Sequence, residues 1–147
     1  MDERVFLGLG SNLGERGENL RQALRQLGEL PGTEVVRVSA FVESAPWGVT
    51  DQPGFLNAVA EIRTALEPGA LLRAVKEIER KVGRAPTYRW GPRLIDIDLL
   101  LYGARRVSTP ELTVPHPHLL EREFVTGPLE QIAPEVLEEL RRAAVSL

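Results

Sequence analysis

Apolar runs and one helical periodicity organise the first third of the chain. Residues 5–9 are typical of a short buried strand, and residues 10–14 follow as a glycine-containing turn. Residues 35–42 are rich in β-branched side chains and predict a second strand. Between these strands, apolar residues at helical spacing predict a helix over residues 16–30, namely Leu20, Ala23, Leu24, Leu27 and Leu30.

The remaining pattern repeats this alternation with two long polar interruptions. Residues 43–54 and 84–93 carry the glycine and proline content of loops, and residues 113–118 predict a third loop. Strands are predicted over residues 55–62 and 95–102, with a short one near Phe124. A helix is predicted over about residues 68–82 with Gly83 as its C-terminal cap, and another over residues 134–144.

The element order β-α-β-β-α-β is that of the split βαβ, ferredoxin-like arrangement. We therefore predict an α+β fold whose antiparallel sheet carries helices on one face, followed by a C-terminal extension. The length of 147 residues fits a single domain over residues 1–147.

Composition and charge exclude several functions. The net charge of -3 argues against a nucleic-acid partner, and the absence of cysteine excludes thiol chemistry and disulfides. The N-terminus lacks a signal-peptide pattern, and no apolar run approaches the roughly 20 residues of a membrane span. We expect a soluble, cytoplasmic monomer whose partners are small molecules, with no membrane partner.

Two aspartates in the predicted strand 95–102 are the clearest candidates for chemistry. Asp96 and Asp98 are two positions apart, so on a strand their side chains point to the same face, about 6.5–7 Å apart. On this pattern Ile95, Ile97, Leu99 and Leu101 face the core, whereas Leu100 and Tyr102 continue the aspartate face. Paired carboxylates repel each other, and divalent cations relieve that repulsion, which favours a site for two Mg²⁺ ions. Two solvated acids at a strand edge are the alternative.

The segment preceding the aspartates is basic. It contains Arg84, Arg89 and Arg93, with Trp90 among them and no acidic residue from Val82 to Ile95. Arginine binds phosphate oxygens through paired hydrogen bonds, so a polyphosphate with its metal suits this segment. A merely solvated basic loop is the alternative.

With these residues in view, the sequence resembles the 6-hydroxymethyl-7,8-dihydropterin pyrophosphokinase family of the folate pathway. The resemblance extends over nearly the whole chain and rests on four motifs in order. They are residues 8–14 (GLGSNLG), residues 44–48 with 51–57 (SAPWG and DQPGFLN), residues 89–100 (RWGPRLIDIDLL) and residues 112–117 (LTVPHP).

The resemblance implies an ATP-dependent transfer of diphosphate to a pterin alcohol, with release of AMP. It implies that Asp96 and Asp98 bind two Mg²⁺ ions, and that these aspartates act with Arg84 and Arg93 in catalysis. The implied ATP contacts are Glu79, Arg84, Arg89, Trp90, Arg93, Ile97, Thr113, His116 and Arg122. The implied pterin contacts are Ser44, Ala45, Trp47, Phe55, Asn57, Trp90 and Phe124. Glu111 stands where some relatives carry an arginine.

Physical chemistry supports part of this site independently. A flat pterin needs two aromatic faces, for which Phe55 and Phe124 are candidates, and polar groups along its edge, for which the Asn57 amide is suited. Taken alone, without the resemblance, both phenylalanines are better explained as ordinary core residues. His116 and His118 have no nearby partner that would make them a metal site, so we interpret His116 as a phosphate contact and His118 as structural or exposed.

Three other functions share some sequence features with this chain. The G-x-G at Gly8 and Gly10 lacks the third glycine of a dinucleotide fingerprint, because Leu13 stands there, so we reject that reading. A metal-dependent nucleotidyl transferase would release pyrophosphate where a pterin kinase releases AMP. A non-catalytic ferredoxin-like binding module would keep its ligand affinity after Asp96→Asn or Asp98→Asn.

Overall fold

The structure, a computed structural model, describes residues 3–45, 54–83 and 94–145. Within these ranges the chain forms short and long strands, four α-helices and one 3₁₀ turn. The strands are β1 (Glu3–Ser11), β2 (Thr33–Val38), β3 (Val42–Ser44), β4 (Phe55–Thr64), β5 (Asp96–Tyr102), β6 (Val107–Ser108) and β7 (Thr113–Val114). The helices are α1 (Arg16–Gly28), α2 (Pro68–Val82), α3 (Glu123–Ile132) and α4 (Pro134–Val145), with the 3₁₀ turn at Leu119–Glu121.

The main sheet confirms the predicted ferredoxin-like topology. In the described residues its strand order is β2-β4-β1-β5, with β3 also paired to β4, and every pairing is antiparallel. Strands β6 and β7 form a separate two-stranded hairpin. In the main sheet β1 and β4 are central, and β5 carries the two aspartates along an edge.

One face of the sheet is closed by α1 and α2. Leu20, Ala23 and Leu27 of α1 are fully buried, as are Leu71 and Val75 of α2. They pack in one cluster with apolar side chains from β1, β4 and β5, including Val5, Leu7, Ile62, Ile97 and Leu99. This face is the predicted core, and its continuous apolar packing supplies the rigid base for the strands above it.

The other face is covered by the C-terminal extension. Leu129, Ile132 and Leu137 of α3 and α4 pack in a second cluster with Phe6 and Leu100. The extension is also tied to the sheet by polar contacts. Arg4 pairs with the buried Glu61 at 2.9 Å and with Glu135 of α4 at 3.1 Å.

The alternation expected along β5 breaks at a bulge. Leu7 pairs with Leu99 but Phe6 pairs with Leu101, so Leu100 is an extra residue on β5. As a consequence Leu101 packs with Leu100 in the C-terminal cluster, whereas Tyr102 packs in the α1–α2 cluster. The predicted sides of Leu101 and Tyr102 were therefore wrong, because a one-residue bulge inverts every later position.

Three other local predictions were wrong. The segment around Phe124 is helical and not a strand, because Val125, Leu129 and Ile132 follow helical spacing even though Pro128 lies inside the helix. The predicted second strand, residues 35–42, ends at Val38. A separate strand, β3, begins at Val42, the last residue of that prediction, and continues through the first two residues of the predicted loop. The start of the predicted 113–118 loop pairs as β7.

Among the described helices, none combines the length and apolar character that crossing a bilayer requires.

Candidate active site

A cavity of about 650 Å³ opens where α3 stops covering the second face of the sheet. Its floor comes from β1, β4 and β5, and its walls come from β3 and from the segment that leads into α3. It is lined by Gly8, Leu9, Gly10, Ser44, Ala45, Phe55, Asn57, Ala58, Asp96, Asp98, Leu100, His118, Glu121, Arg122, Phe124 and Val125. Eight of the predicted site residues therefore meet in one cavity: Ser44, Ala45, Phe55, Asn57, Asp96, Asp98, Arg122 and Phe124.

The two aspartates lie directly opposite two glycines. Gly10 of β1 pairs with Asp96, and Gly8 pairs with Asp98. Residues directly opposite in an antiparallel pair project from the same face, so glycine leaves open space beside each carboxylate. The structure places Asp96 and Asp98 on the same face, with Asp96 half-buried and Asp98 exposed.

Gly10 also lies between Asp96 on β5 and Asn57 on β4. Asn57 of β4 pairs with Gly10, so Asn57, Gly10 and Asp96 form one row across three strands. A Cβ atom at position 10 would lie 3.1 Å from Asn57 Oδ1 and 3.5 Å from Phe55 Cδ1. The missing side chain therefore keeps a shallow floor between a neutral amide and an acidic end.

The aspartates suit a hard divalent cation whose other ligands come from a substrate. Across residues 3–45, 54–83 and 94–145 there is no group of three or more His, Cys, Asp and Glu side chains able to hold a metal. Mg²⁺ is commonly held by one or two carboxylates together with phosphate oxygens and water. The two aspartates on an open floor fit that donor set.

Asn57 is held in place by its own protein partners. Its Nδ2 donates to Ser44 Oγ at 2.8 Å and to the Val42 carbonyl at 3.3 Å, and the residue is 5% exposed. With Nδ2 engaged inside the protein, the amide oxygen Oδ1 is the atom turned toward Gly10 and the cavity. Asn57 therefore offers the cavity an acceptor, which refines the prediction that it would both donate and accept.

Phe55 and Phe124 are both half-buried and both line the cavity. Phe124 also packs against the edge of the C-terminal cluster, and the Arg122 guanidinium lies 5.9 Å from its ring centroid. The two phenylalanines come from β4 and α3 and supply apolar surface for a flat ligand.

The segment before α3 brings two histidines and an arginine to the acidic end. The backbone N–H of His118 donates to His116 Nδ1 at 3.1 Å, which leaves the neutral His116 ring with its proton on Nε2. Burial lowers the pKa of His116, and the nearby Arg122 and His118 lower it further, whereas the Asp98 carboxylate opposes the shift. His116 is thus a neutral donor close to Asp98 and Arg122.

Four predicted ATP contacts do not line this cavity: Glu79, Ile97, Thr113 and His116. Glu79 accepts a hydrogen bond from the Ile97 backbone N–H at 2.8 Å and pairs with Lys76 at 3.3 Å. The Ile97 side chain is 1% exposed in the core, and Thr113 is exposed in β7. Their contacts with ATP stay predictions. Five further predicted site residues lie outside the described residues: Trp47, Arg84, Arg89, Trp90 and Arg93.

Sequence reasoning missed eight of the sixteen residues that line the cavity, among them Gly8, Gly10, His118 and Glu121. The glycines carried a signal, because G-x-G in one strand facing D-x-D in its neighbour is a matched pattern. The signal for the other two was the i, i+3 spacing of His118 and Glu121, which the 3₁₀ turn brings together at 2.8 Å.

Fold and site together define a ferredoxin-like α+β protein with an acidic, aromatic-lined cleft at the end of its sheet. The sequence profile of the 7,8-dihydro-6-hydroxymethylpterin-pyrophosphokinase (HPPK) family matches residues 6–134. The chain belongs to this family.

Curated relatives and solved structures agree with that assignment. The chain is 45% identical over 147 aligned positions to 2-amino-4-hydroxy-6-hydroxymethyldihydropteridine pyrophosphokinase of Methylorubrum extorquens, covering 98% of this chain and 93% of the relative. It is 41% identical to the Bacillus subtilis enzyme of the same name, covering 97% and 86%. The structure resembles Plasmodium falciparum HPPK-DHPS with pteroate, at a TM-score of 0.72 and 14% identity. That similarity covers 92% of this chain and 39% of the longer one, so it supports the fold alone.

Proposed function

We propose that this chain transfers the diphosphate of ATP to the hydroxymethyl group of 6-hydroxymethyl-7,8-dihydropterin, releasing AMP, as a step of folate biosynthesis. The observation that carries the proposal is the cavity in which Asp96 and Asp98 face the same space as Phe55, Asn57 and Phe124. One end suits a metal-bound polyphosphate, and the other suits a flat heterocycle with hydrogen-bonding edges.

The pterin end holds and orients the acceptor. Phe55 and Phe124 provide aromatic surface, and Asn57, fixed by Ser44, offers its carbonyl oxygen to an N–H group on the pterin edge. Holding the hydroxyl in line with the β-phosphorus converts a bimolecular attack into a positioned one, which is a large share of phosphoryl-transfer catalysis.

The phosphate end balances charge. Arg122 lines the cavity, and the neutral His116 beside it presents an N–H donor close to Asp98. Arg84 and Arg93 are proposed to neutralise the transferred group, and Arg89, Trp90, Glu79, Ile97 and Thr113 to complete the nucleotide contacts. Trp47 and Trp90 are proposed to contact the pterin.

Mg²⁺, as two ions held by Asp96 and Asp98, would supply charge neutralisation along the triphosphate and acidify the attacking hydroxyl. The protein's own part is to keep both carboxylates on one rigid strand, whose backbone between them is held by Glu79. We further propose that the single domain acts as a monomer in the cytoplasm.

A product assay tests the proposal. The protein is incubated with MgATP and 6-hydroxymethyl-7,8-dihydropterin, and the nucleotide products are separated by chromatography. We expect AMP and the pterin diphosphate in equal amounts. Pyrophosphate without AMP would identify a nucleotidyl transferase, and binding of both substrates without any product would identify a non-catalytic module.

A further inference from the structure

A histidine–carboxylate pair stands on the cavity wall beyond the residues already given a role. His118 Nδ1 lies 2.8 Å from Glu121 Oε2, and both residues line the cavity together with Asp96 and Asp98. The 3₁₀ turn Leu119–Glu121 places the two side chains on one side, because residues three apart eclipse each other in this helix.

The pair lies on the acidic side of the cavity. The His118 ring centroid is 6.0 Å from that of His116, and the His116 pKa responds to both Asp98 and His118. Arg122, next along the chain, also lines the cavity and affects the same pKa. The surroundings of His118 are thus those proposed for the nucleotide phosphates and not those of the pterin edge at Asn57.

The Glu121 carboxylate is unfavourable for phosphate binding at this end of the cavity. A carboxylate on the wall repels a triphosphate that enters the same cavity, and the two aspartates add to the repulsion until a cation is bound. His118 reduces this repulsion between Glu121 and the triphosphate. Its Nδ1–H donates to Glu121, so the carboxylate is engaged by a hydrogen bond and does not face the phosphates unpaired.

The same hydrogen bond orients the ring. With Nδ1 engaged by Glu121, Nε2 is the nitrogen that can meet a ligand, and the carboxylate fixes the tautomer in which Nδ1 carries a proton. A carboxylate-oriented imidazole is a suitable donor to a phosphate oxygen.

We infer that His118 is a positioning residue for the nucleotide phosphates, and that its main task is to hold the Glu121 carboxylate in a hydrogen bond, which weakens its repulsion of the phosphates. The inference rests on the proposed function, since it assumes that a polyphosphate occupies the cavity. On this view Glu121 makes no favourable contact of its own with the phosphates. Removing His118 should therefore weaken MgATP binding only while the Glu121 carboxylate is present.

The test is a double-mutant cycle on MgATP binding, measured by calorimetry without pterin so that no turnover occurs. We expect His118→Ala to weaken MgATP binding about three- to fivefold, the size expected for one solvent-accessible charge interaction. Glu121→Gln should bind MgATP within about twofold of the wild type. The double variant should bind more tightly than His118→Ala alone, because the uncompensated carboxylate is then gone.

Salt and the second substrate sharpen the outcome. The His118→Ala defect should shrink at high ionic strength, and the Kd for the pterin should stay unchanged in all three variants. A double variant as weak as His118→Ala, or a loss confined to pterin binding, would overturn the inference. Thermal melts of each variant check folding. AMP release by the wild type tests the proposed function separately, so either idea can fail alone.

Discussion

The two faces of the central sheet, built from the same strands, differ in what covers them. On one face, α1 and α2 bury a continuous apolar layer that includes Leu7, Leu99 and Ile97. On the other, α3 and α4 cover Phe6 and Leu100 but leave open the half that carries Gly8, Gly10 and the aspartates. Consecutive residues of β5 therefore serve opposite purposes, since Ile97 anchors the strand while its neighbours face the cavity.

This contrast explains how a small domain holds repelling carboxylates in fixed positions. The closed face and the Glu79 hydrogen bond to Ile97 determine where β5 lies, so the open face need not contribute to packing. Residues on the open face can therefore carry charged and polar groups that bind ligands, at little cost to the free energy of unfolding. Substitutions on the two faces should consequently separate activity from folding.

The largest effect is expected from the aspartates themselves. Asp96→Asn and Asp98→Asn should each lower the rate of AMP formation about a thousandfold, because each removes an anionic ligand proposed for the metal. The melting temperature of Asp98→Asn should stay the same or rise, since carboxylate repulsion is relieved. Glu139→Gln, an exposed acid on α4, is the matched control and should leave the rate unchanged. A rate near wild type in both aspartate variants would remove the basis of the assignment.

Two buried leucines, one from each side of the sheet, test whether the α1–α2 face affects only stability while the α3 side also affects substrate binding. Leu71→Ala in α2 and Leu129→Ala in α3 should each lower the free energy of unfolding by about 3 kcal/mol, because both side chains are fully buried. Only Leu129→Ala should raise the KM for the pterin, since α3 carries Phe124 and Val125 into the cavity wall. Urea unfolding and steady-state kinetics measure the two effects. Equal kinetic defects would mean that the faces are not independent.

Glu79 should act through the strand it holds. Glu79→Ala leaves the Ile97 N–H at the sheet edge without its acceptor, and we expect about a tenfold loss of rate as the flanking aspartates lose their fixed positions. Glu79→Gln retains an acceptor and should recover much of this loss. Lys76→Ala removes the ion pair at 3.3 Å and should have little effect. Titration of Mn²⁺ in the presence of ATP distinguishes a positional defect from general destabilisation.

The glycine floor gives a smaller and more local effect. Gly10→Ala places a Cβ 3.1 Å from Asn57 Oδ1, so the KM for the pterin should rise about five- to tenfold. In Gly8→Ala the new Cβ would be 3.5 Å from Leu100, an ordinary contact, and the rise should be smaller. A larger defect in Gly8→Ala than in Gly10→Ala would contradict the proposed position of the pterin.

The smallest effect concerns pH and His116. Its pKa is lowered from the ordinary 6.5, mainly by burial, so below about pH 6.5 the unfolded chain takes up a proton that the folded chain resists. Stability from this residue is therefore full above pH 6.5 and falls as the pH drops toward the lowered pKa. His116→Gln should reduce the difference between urea midpoints at pH 7.5 and pH 5.5. An unchanged difference would contradict the burial of a neutral ring.

The sequence predicted the elements with strong periodicity and the residues with clear chemistry. Helices α1 and α2 and strands β4 and β5 appear close to their expected bounds, and the D-x-D spacing indicated a shared face. The bulge at Leu100 could not be predicted, because it depends on how β1 and β5 pair. Helix α3 was mistaken for a strand because Phe124 and Val125 have high strand propensity and Pro128 hides the helical period. The His118–Glu121 pair could not be predicted because its contact depends on the 3₁₀ turn at Leu119–Glu121.

Metal binding in the presence of nucleotide shows whether Asp96 and Asp98 hold the cations. Mn²⁺ replaces Mg²⁺ as a paramagnetic probe, and its binding to the protein with a non-hydrolysable ATP analogue is followed by electron paramagnetic resonance. We expect two bound ions in the wild type and in Glu139→Gln, with binding lost or strongly weakened in Asp96→Asn and Asp98→Asn. Full Mn²⁺ binding in both aspartate variants would contradict this expectation.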